Sequence, residues 1–262
     1  MVFNSCFPEK KFMARVLLEK YYTDIKEELG DKLFEWLCNK SVFDDYRIAE
    51  LLFHVSDESY NYFMDFTERI ENGGYLLHLF SGSGRLINDL ITNDLINKYS
   101  KVTNVDFSRV MIDFEKIKLK RTSAKYICQD VLNLNYDSIN YDIAVCHCGL
   151  RYLQTKDYPI LIDGLKKSKK TIDSKCLVVE TKKTFVDCFC NDLGSYGCEY
   201  SLKTRDVFVQ RNTLFYLAVI LYQENNEFRE IVSSLMGRES NLYEMLIDLA
   251  GFKRTKLFII KF

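Results

Sequence analysis

The sequence has little proline, no surplus of either charge and no long apolar run. Only two prolines occur among its 262 residues, and no Gly/Ser-rich stretch is present. We therefore expect a compact body rather than domains on flexible linkers. The formal net charge is -1, which argues against a dedicated nucleic-acid binder. A membrane-spanning helix needs roughly 18 or more consecutive apolar residues, and the sequence contains no such run.

A secretory signal is also missing, because the first residues, MVFNSCFPEKKF, show no apolar run with a cleavage site. The nine cysteines are an odd number, which without a signal indicates free thiols in a reducing compartment. We therefore expect a cytoplasmic protein. Hydrophobic residues make up 47% of the sequence, which is enough to bury the core of one large α/β domain with a cap.

Residues 1–72 show helical periodicity, with apolar residues at steps of three and four, the spacing of one helix face. The periodic segments are residues 10–39, 44–55 and 59–71. Gly73 and Gly74 end this block. The pattern predicts an N-terminal helical cap over residues 1–72.

The next stretch, YLLHLFSGSGRL from Tyr75 to Leu86, has the pattern of a buried strand, a glycine turn and a helix start. Gly82 and Gly84 have no Cβ, so a ligand can lie close to the backbone there. The helix N-terminus behind the turn offers unpaired N–H groups and a positive dipole end.

Four further β-rich runs alternate with helical patterns after this turn. They are residues 101–106, 124–128, 141–146 and 175–181. Strands that alternate with helices require crossover connections and hence a parallel sheet. We predict an α/β domain over residues 73–262 with a Rossmann-like, doubly wound, mostly parallel sheet of six or seven strands.

Ligands of such sheets bind outside the carboxyl ends of the strands, at the switch point of the strand order. The glycine turn, Asp106, Asp130 and His147 all follow predicted strands. A carboxylate at Asp106 can accept hydrogen bonds from both hydroxyls of a ribose. Asp130 can hold an adenine amino group, with Val131 beside the ring. These positions predict a nucleotide-like ligand.

The order of these features resembles the class I S-adenosylmethionine-dependent methyltransferases of the small-molecule type. The matching features are the glycine-rich first motif (His78 to Gly84), the acids after the second and third strands (Asp106 and Asp130), and the fourth motif (Asp142 to Leu153). The C-terminal LYEMLIDLAGFKRTKLFII resembles the family's last helix, its Ala-Gly-Phe turn and the strand behind it.

The resemblance implies an enzyme that binds S-adenosylmethionine and methylates an O or N atom of a small molecule. The residues expected to bind the cofactor are His78, Phe80, Gly82, Gly84, Asp106, Phe107, Met111, Asp130, Val131 and His147. His78 and Phe80 stand where the family has an acid and its first glycine. The Asn/Asp-Pro-Pro-aromatic signature of amino methylators of nucleic-acid bases is missing, because the fourth strand continues as CHCG.

Methyl transfer to a hydroxyl needs an aligned base. His147 is the predicted catalytic base, because it follows the fourth strand and imidazole titrates near neutral pH. The predicted substrate-binding residues are Tyr22, Tyr46 and His54 from the cap and Arg151 and Tyr152 after the fourth strand. The last two suit an anionic or phenolic substrate.

The segment 183–238, before the last helix, is unusually long. Within it Thr213–Gln223 is almost wholly apolar and must be buried. We predict that 183–238 is a helical insert that forms a lid together with the cap. A lid that excludes water suits a reaction in which a sulfonium loses its charge. Residues 203–211 would supply the seventh strand.

Other functions stay open at this point. A methyltransferase that acts on RNA or protein is one, and a non-catalytic binding protein with this fold is another. A nicotinamide-dependent dehydrogenase fits less well, because Gly82-x-Gly84-x-x-Ile87 lacks the third glycine of that fingerprint. The two Cys-x-Cys pairs, Cys146/Cys148 and Cys188/Cys190, differ from the Cys-x-x-Cys turns of structural zinc sites. No metal is therefore predicted. The predicted partner is a small molecule, without membrane or nucleic acid.

Overall fold

The computed structural model describes residues 6–33, 41–53, 59–68, 72–119, 124–209, 213–236, 242–250 and 253–262. The α-helices are α1 (Cys6–Leu29), α2 (Tyr46–Phe53), α3 (Ser59–Glu68), α4 (Arg85–Thr92), α5 (Arg109–Lys118), α6 (Tyr158–Lys167), α7 (Lys183–Ser195), α8 (Thr213–Glu224), α9 (Asn226–Leu235) and α10 (Leu242–Ala250). The strands are β1 (Gly74–Leu79), β2 (Tyr99–Asp106), β3 (Lys125–Cys128), β4 (Ile143–His147), β5 (Lys175–Glu180), β6 (Ser201–Val209) and β7 (Lys253–Lys261).

The seven strands form one sheet in the order β3-β2-β1-β4-β5-β7-β6. Strands β1 to β5 pair in parallel, and β7 runs antiparallel to β5. The chain steps outward from β1 in one direction and then continues from β4 in the other, so the switch point lies between these two strands. This order confirms the predicted Rossmann-like, doubly wound sheet. The strand expected near residues 203–211 is β6, which gives seven strands rather than six.

One face of the sheet carries the main hydrophobic core. Alternate residues of the strands, among them Leu79, Val105 and Cys146, pack there with apolar residues of α6 and α7. Since successive side chains of a strand point to opposite faces, their neighbours His78 and Asn104 face the other side. These two residues are paired in register on β1 and β2. A polar stripe therefore crosses the centre of the sheet on the face opposite the core.

The chain divides into two compact units. The first comprises Met1–Val42, His54–Ser56 and Phe208–Arg254. In this unit α1 packs against α8, α9 and α10. Lys11 forms an ion pair with Asp248, and the Tyr21 hydroxyl donates to Glu224 at 3.4 Å.

The second unit comprises Phe43–Phe53, Asp57–Val207 and Thr255–Phe262. It holds helices α2 to α7 and the sheet, apart from the last two residues of β6 and the first two of β7. The predicted boundary at residue 72 and the predicted lid over 183–238 stay predictions. No helix in the described part of the chain is long and apolar enough to cross a membrane.

Candidate active site

The glycine turn between β1 and α4 is shaped by backbone hydrogen bonds and by two glycines. The Ser81 N–H donates to the Val105 carbonyl at 3.0 Å, and the Gly84 N–H donates to that of Ser81 at 3.1 Å. Gly82 and Gly84 have φ values of +57° and +79°, which favour glycine. A Cβ at Gly82 would meet no atom within 4 Å. The backbone of Gly82 therefore lies open at the N-terminal end of α4, where a ligand can approach it.

Asp106, the last residue of β2, ties the second strand to this turn. Its Oδ2 accepts a hydrogen bond from the Gly82 N–H at 2.8 Å, and its Oδ1 accepts one from the Ser108 N–H at 2.9 Å. Burial raises the pKa of Asp106 to about 6, against the opposing effect of these two donors, and the Asp44 charge adds to the rise. Each oxygen keeps a second lone pair. Asp106 can therefore hold the turn and also accept from a ribose hydroxyl.

Phe80 begins the turn with a φ of +54°, a backbone conformation that is uncommon outside glycine. Its ring packs on Gly149, where a Cβ would lie 2.1 Å from ring carbon Cδ2. Cys148, next to Gly149, also has a positive φ of +52°. The glycine expected at position 80 is thus replaced by an aromatic residue, and the space for its ring comes from a glycine after β4.

His78 lies in the middle of β1, is 2% exposed, and its Nδ1 has no hydrogen bond in the structure. Burial lowers the pKa of His78 to about 3, with a smaller contribution from the charge of His147 and a small opposing one from Asn104. The ring is therefore neutral at physiological pH. The side chain of His78 is part of the polar stripe, on the face of the sheet opposite the main core.

His147 ends β4 at the same edge of the sheet as Asp106. Its ring makes an edge contact with Phe63 of α3, with the ring centroids 5.3 Å apart. His147 Nε2 lies 4.0 Å from the Cys148 sulfur. His147 and Cys148 are each 6% exposed. The predicted base is therefore held between an aromatic ring and a thiol and is nearly enclosed.

Arg151 and Tyr152 follow β4, as predicted, but Arg151 is largely engaged inside the protein. One of its terminal nitrogens, Nη2, lies 2.5 Å from Glu180 Oε1 and 2.5 Å from the Thr181 hydroxyl. The side chains of Arg151 and Glu180 are only 9% and 0% exposed. Tyr152 is half-buried and meets the ring of Phe43 edge-on, at 5.6 Å between centroids. Arg151 is therefore held by an acid and a hydroxyl, whereas Tyr152 makes an aromatic contact.

Four of the residues predicted to bind the cofactor differ in exposure. Phe107 is 50% exposed, whereas Met111 of α5 and Val131 are buried. Asp130 is exposed, and its Oδ1 accepts from the Leu132 N–H at 3.0 Å, which caps a short 3-10 turn. Phe107, Asp130 and Val131 lie on the turns that follow β2 and β3, and Met111 lies in the first turn of α5.

The cap residues predicted to bind substrate belong to different units of the chain. Tyr46 starts α2, is 45% exposed and packs on Phe114 at 5.2 Å between centroids. Tyr22 lies on α1 of the first unit, with the Lys26 ammonium 5.9 Å from the centre of its ring. His54 lies outside the described residues. Their roles stay predictions.

The sequence interpretation missed three buried polar residues near the site. They are Asn104 and Glu180 on the strands and Glu115 on α5. Glu180 ends β5, so its position at a strand end was a usable signal. Glu115 lies three and four residues after Ile112 and Met111, on the apolar stripe of its helix, where an acid is unexpected.

Seven of the cysteines are free thiols in the structure: Cys128, Cys146, Cys148, Cys176, Cys188, Cys190 and Cys198. Cys146 points into the core, and burial raises its pKa well above the usual range. Within the described ranges no group of three or more His, Cys, Asp or Glu residues could hold a metal ion. The buried thiols, Cys146, Cys148, Cys176 and Cys190, therefore act as small apolar side chains.

Comparisons with known proteins agree with this geometry. Residues 76–170 match the family model of a methyltransferase domain. A search of curated proteins finds no match to the sequence. Among solved structures, the YcgJ protein of Bacillus subtilis is similar with a TM-score of 0.52 and 11% identity, over 78% of this chain and 97% of that one.

Two further similar structures both have precorrin in their names. Precorrin-6y C5,15-methyltransferase of Geobacter metallireducens has a TM-score of 0.51 and 9% identity, over 78% of this chain and 86% of that one. Precorrin 8W decarboxylase of Methanobacterium thermoautotrophicum has a TM-score of 0.50 and 12% identity, over 78% and 88%. At these identities the likeness shows the fold.

The matched segment runs from β1 through the turn after α6 and contains the glycine turn, Asp106, Asp130 and His147. This segment is therefore similar to a methyltransferase domain, and the sheet has the Rossmann-like order that the resemblance predicted. The implied family, the enzyme class and the cofactor, S-adenosylmethionine, are thereby confirmed.

Proposed function

We propose that this protein transfers the methyl group of S-adenosylmethionine to an O or N atom of a small molecule. The observation that carries the proposal is the nearly enclosed His147 at the end of β4, at the same strand-end edge as the glycine turn and Asp106. A base that is 6% exposed suits a small acceptor that enters the site. The net charge of -1 gives no support to a polyanionic substrate.

The residues of the turn fit the cofactor, because the space above Gly82 is open and its N–H is fixed by Asp106. Gly82 and Gly84 would lie against the cofactor, with Asp106 at the ribose, and Asp130 and Val131 at the adenine. His78 and Phe80 would support the turn from below and from the side. When bound, S-adenosylmethionine supplies an electrophilic methyl group on a positively charged sulfur.

We assign His147 the role of general base. The Phe63 ring limits the positions of the imidazole and screens it from water. A neutral imidazole next to the acceptor accepts the proton that a hydroxyl loses as it attacks, or the proton that an ammonium group loses before its nitrogen can attack. A positioned base of this kind contributes roughly 10²- to 10⁴-fold in rate.

On the substrate side we propose a direct contact for Tyr152 and a supporting role for Arg151. The engagement of Arg151 with Glu180 fixes the turn that carries Tyr152, as an ion pair between two buried groups. Tyr22, Tyr46 and His54 remain proposed substrate contacts. We also propose that the segment 183–238 and the N-terminal helices form a lid that excludes water during the reaction.

Isothermal calorimetry with S-adenosylmethionine, S-adenosylhomocysteine and NAD tests the proposal. We expect the first two to bind at submillimolar concentration and NAD not to bind. If the folded protein binds neither S-adenosylmethionine nor S-adenosylhomocysteine, the cofactor assignment is refuted. Methyl transfer from a labelled cofactor to total RNA or protein, with none to a small-molecule extract, would favour a macromolecular methyltransferase instead.

A further inference from the structure

Glu115 of α5 is buried directly beneath the glycine turn. A Cβ placed on Gly84 would lie 2.8 Å from Glu115 Cγ and 3.3 Å from its carboxyl carbon. The side chain is 0% exposed. A Cβ there would also lie 2.9 Å from Leu119 Cδ1. The backbone of Gly84 therefore packs against the side chains of Glu115 and Leu119, and only a residue without a Cβ fits there.

The Glu115 carboxyl belongs to a cluster of buried polar groups. Neither of its oxygens makes a hydrogen bond of normal geometry, and the same holds for the Ser81 hydroxyl and the Asn104 amide. Ser81 and Asn104 nevertheless lie close enough to lower the pKa of Glu115, while burial, the largest cause, and the charge of Asp106 raise it well above its usual range. Burial therefore favours the protonated form of this carboxyl group, which can both donate and accept a hydrogen bond.

Such a group destabilises the fold where it lies. A buried polar group whose hydrogen bonds are not made loses its interactions with water without replacement, and an apolar residue of similar size often stabilises a protein at such a site. The neighbours Met111, Ile112 and Phe114 on the same buried face of α5 are apolar. Packing alone therefore favours an apolar side chain at position 115. The presence of an acid there points to a role of Glu115 in the turn above it.

We propose that Glu115 is a positioning residue for the cofactor turn. Its buried carboxyl side chain packs against Gly84 as a polar floor and holds Ser81 and Gly84 in the conformation that receives the cofactor. The inference rests on the proposed cofactor site at this turn. It goes beyond that site because Glu115 lies on a helix below it and touches the backbone of the turn.

Three variants test this role, with affinity for S-adenosylmethionine and thermal unfolding as readouts. Glu115→Gln keeps a neutral hydrogen-bonding group, and we expect its dissociation constant to stay within about threefold of the parent protein. Glu115→Leu removes the polar floor, and we expect a loss of affinity of at least about tenfold with stability equal to or above that of the parent. Glu115→Met replaces the leucine variant if the latter does not fold.

A coupled change gives a second measurement. We expect Ser81→Ala to weaken binding in the parent and to have little further effect in Glu115→Leu, because contacting residues in one network are non-additive. A folded leucine variant that binds within threefold of the parent would overturn the proposal, as would a glutamine variant that loses as much affinity as the leucine variant.

The proposal can be separated from the cofactor assignment. In protein labelled with ¹⁵N-glycine, we expect the amide signals of Gly82 and Gly84 to shift in Glu115→Leu and to stay near their parent positions in Glu115→Gln, without any cofactor. If the parent protein does not bind S-adenosylmethionine but these shifts occur, the cofactor assignment fails and the role of Glu115 in the turn stands. If the two signals do not move in the leucine variant, the positioning role fails.

Discussion

The ring of Phe80 occupies the space in which a side chain at Gly149 would begin, since a Cβ there would lie 2.1 Å from the ring. Phe80 begins the turn after β1, and Gly149 follows β4, so the contact joins the turn proposed to bind the cofactor to the segment that carries His147 and Cys148. Gly149 has φ -90° and ψ -25°, a conformation open to any residue. Its lack of a side chain therefore serves the packing of Phe80 and not the backbone.

Gly149→Ala should destabilise the protein by about 1–3 kcal/mol, the usual cost of overpacking a tight site. The double variant Phe80→Gly with Gly149→Ala should lose less than the sum of the two single changes, because removal of the ring makes room for the methyl group. Urea denaturation of the four proteins measures this coupling. Additive losses would show that the two residues do not share the space.

Gly194 provides the control for this prediction. It lies in α7, where a Cβ would meet no atom within 4 Å. Gly194→Ala should leave the stability unchanged or raise it by up to about 1 kcal/mol, the difference in helix propensity. A loss at Gly194 as large as that at Gly149 would mean that the clash with Phe80 is not the cause.

Asp106 should make cofactor binding depend on pH. Its pKa is raised to about 6, and the ionised carboxylate is the better acceptor for ribose hydroxyls. Affinity for S-adenosylmethionine should therefore rise from pH 5 to pH 7 and level off above that. Calorimetry across this range tests it. Asp106→Asn should bind about tenfold more weakly or worse at pH 7.5 and show a flat profile, and a flat profile in the parent would contradict the ribose assignment.

His78 should make the fold sensitive to acid. Its pKa is lowered to about 3 in the folded protein and is about 6.5 in the unfolded chain, so between these values the unfolded state binds the proton. The stability that the neutral ring contributes is full above pH 6.5 and falls as the pH drops through this window, by about 1.4 kcal/mol per pH unit.

Urea denaturation of the parent and of His78→Gln between pH 7.5 and 4.5 isolates this contribution. The variant should lose less stability on acidification than the parent. Asp106 acts in the opposite sense, because a carboxyl group with a raised pKa costs stability as the pH rises from about 4 to 6. The effect of Asp106 is the same in the parent and in the variant, so it cancels in the comparison. Equal slopes would show that His78 does not titrate as described.

The site residues show which parts of the structure could be predicted from the sequence and which could not. The alternation of strands and helices indicated the sheet, and strand ends of a parallel sheet meet at one edge, so Asp106 and His147 were predictable. The contact of Arg151 with Glu180 was not predictable. Glu180 ends β5, the neighbour of β4 in the sheet, and the pairing of side chains from the two strand ends depends on the register of the folded sheet. The same holds for Phe80 and Gly149, which are distant in sequence and meet only where β1 and β4 become neighbours.

His147→Asn should slow methyl transfer by about 10²-fold or more while the dissociation constant of S-adenosylmethionine changes much less. Single-turnover rates with the first acceptor found by screening would measure this as a function of pH. The matched control is Phe63→Leu, which loosens the contact on the ring at 5.3 Å but keeps the base, so a smaller effect on rate is expected. A parent rate that is independent of pH, with an equally active asparagine variant, would remove the base assignment.

Limited proteolysis tests the proposed lid. The trypsin sites Lys203 and Arg205 on β6 are exposed, and Arg205 is held by the Tyr62 hydroxyl at 2.6 Å. If the segment 183–238 orders over the cofactor, its cleavage by trypsin should slow several-fold in the presence of S-adenosylhomocysteine. Asp106→Ala, which should bind the cofactor poorly, serves as the control and should show no protection at the same concentration. Cleavage of this segment at an unchanged rate, in protein that calorimetry shows to be saturated, would mean that 183–238 is not a lid.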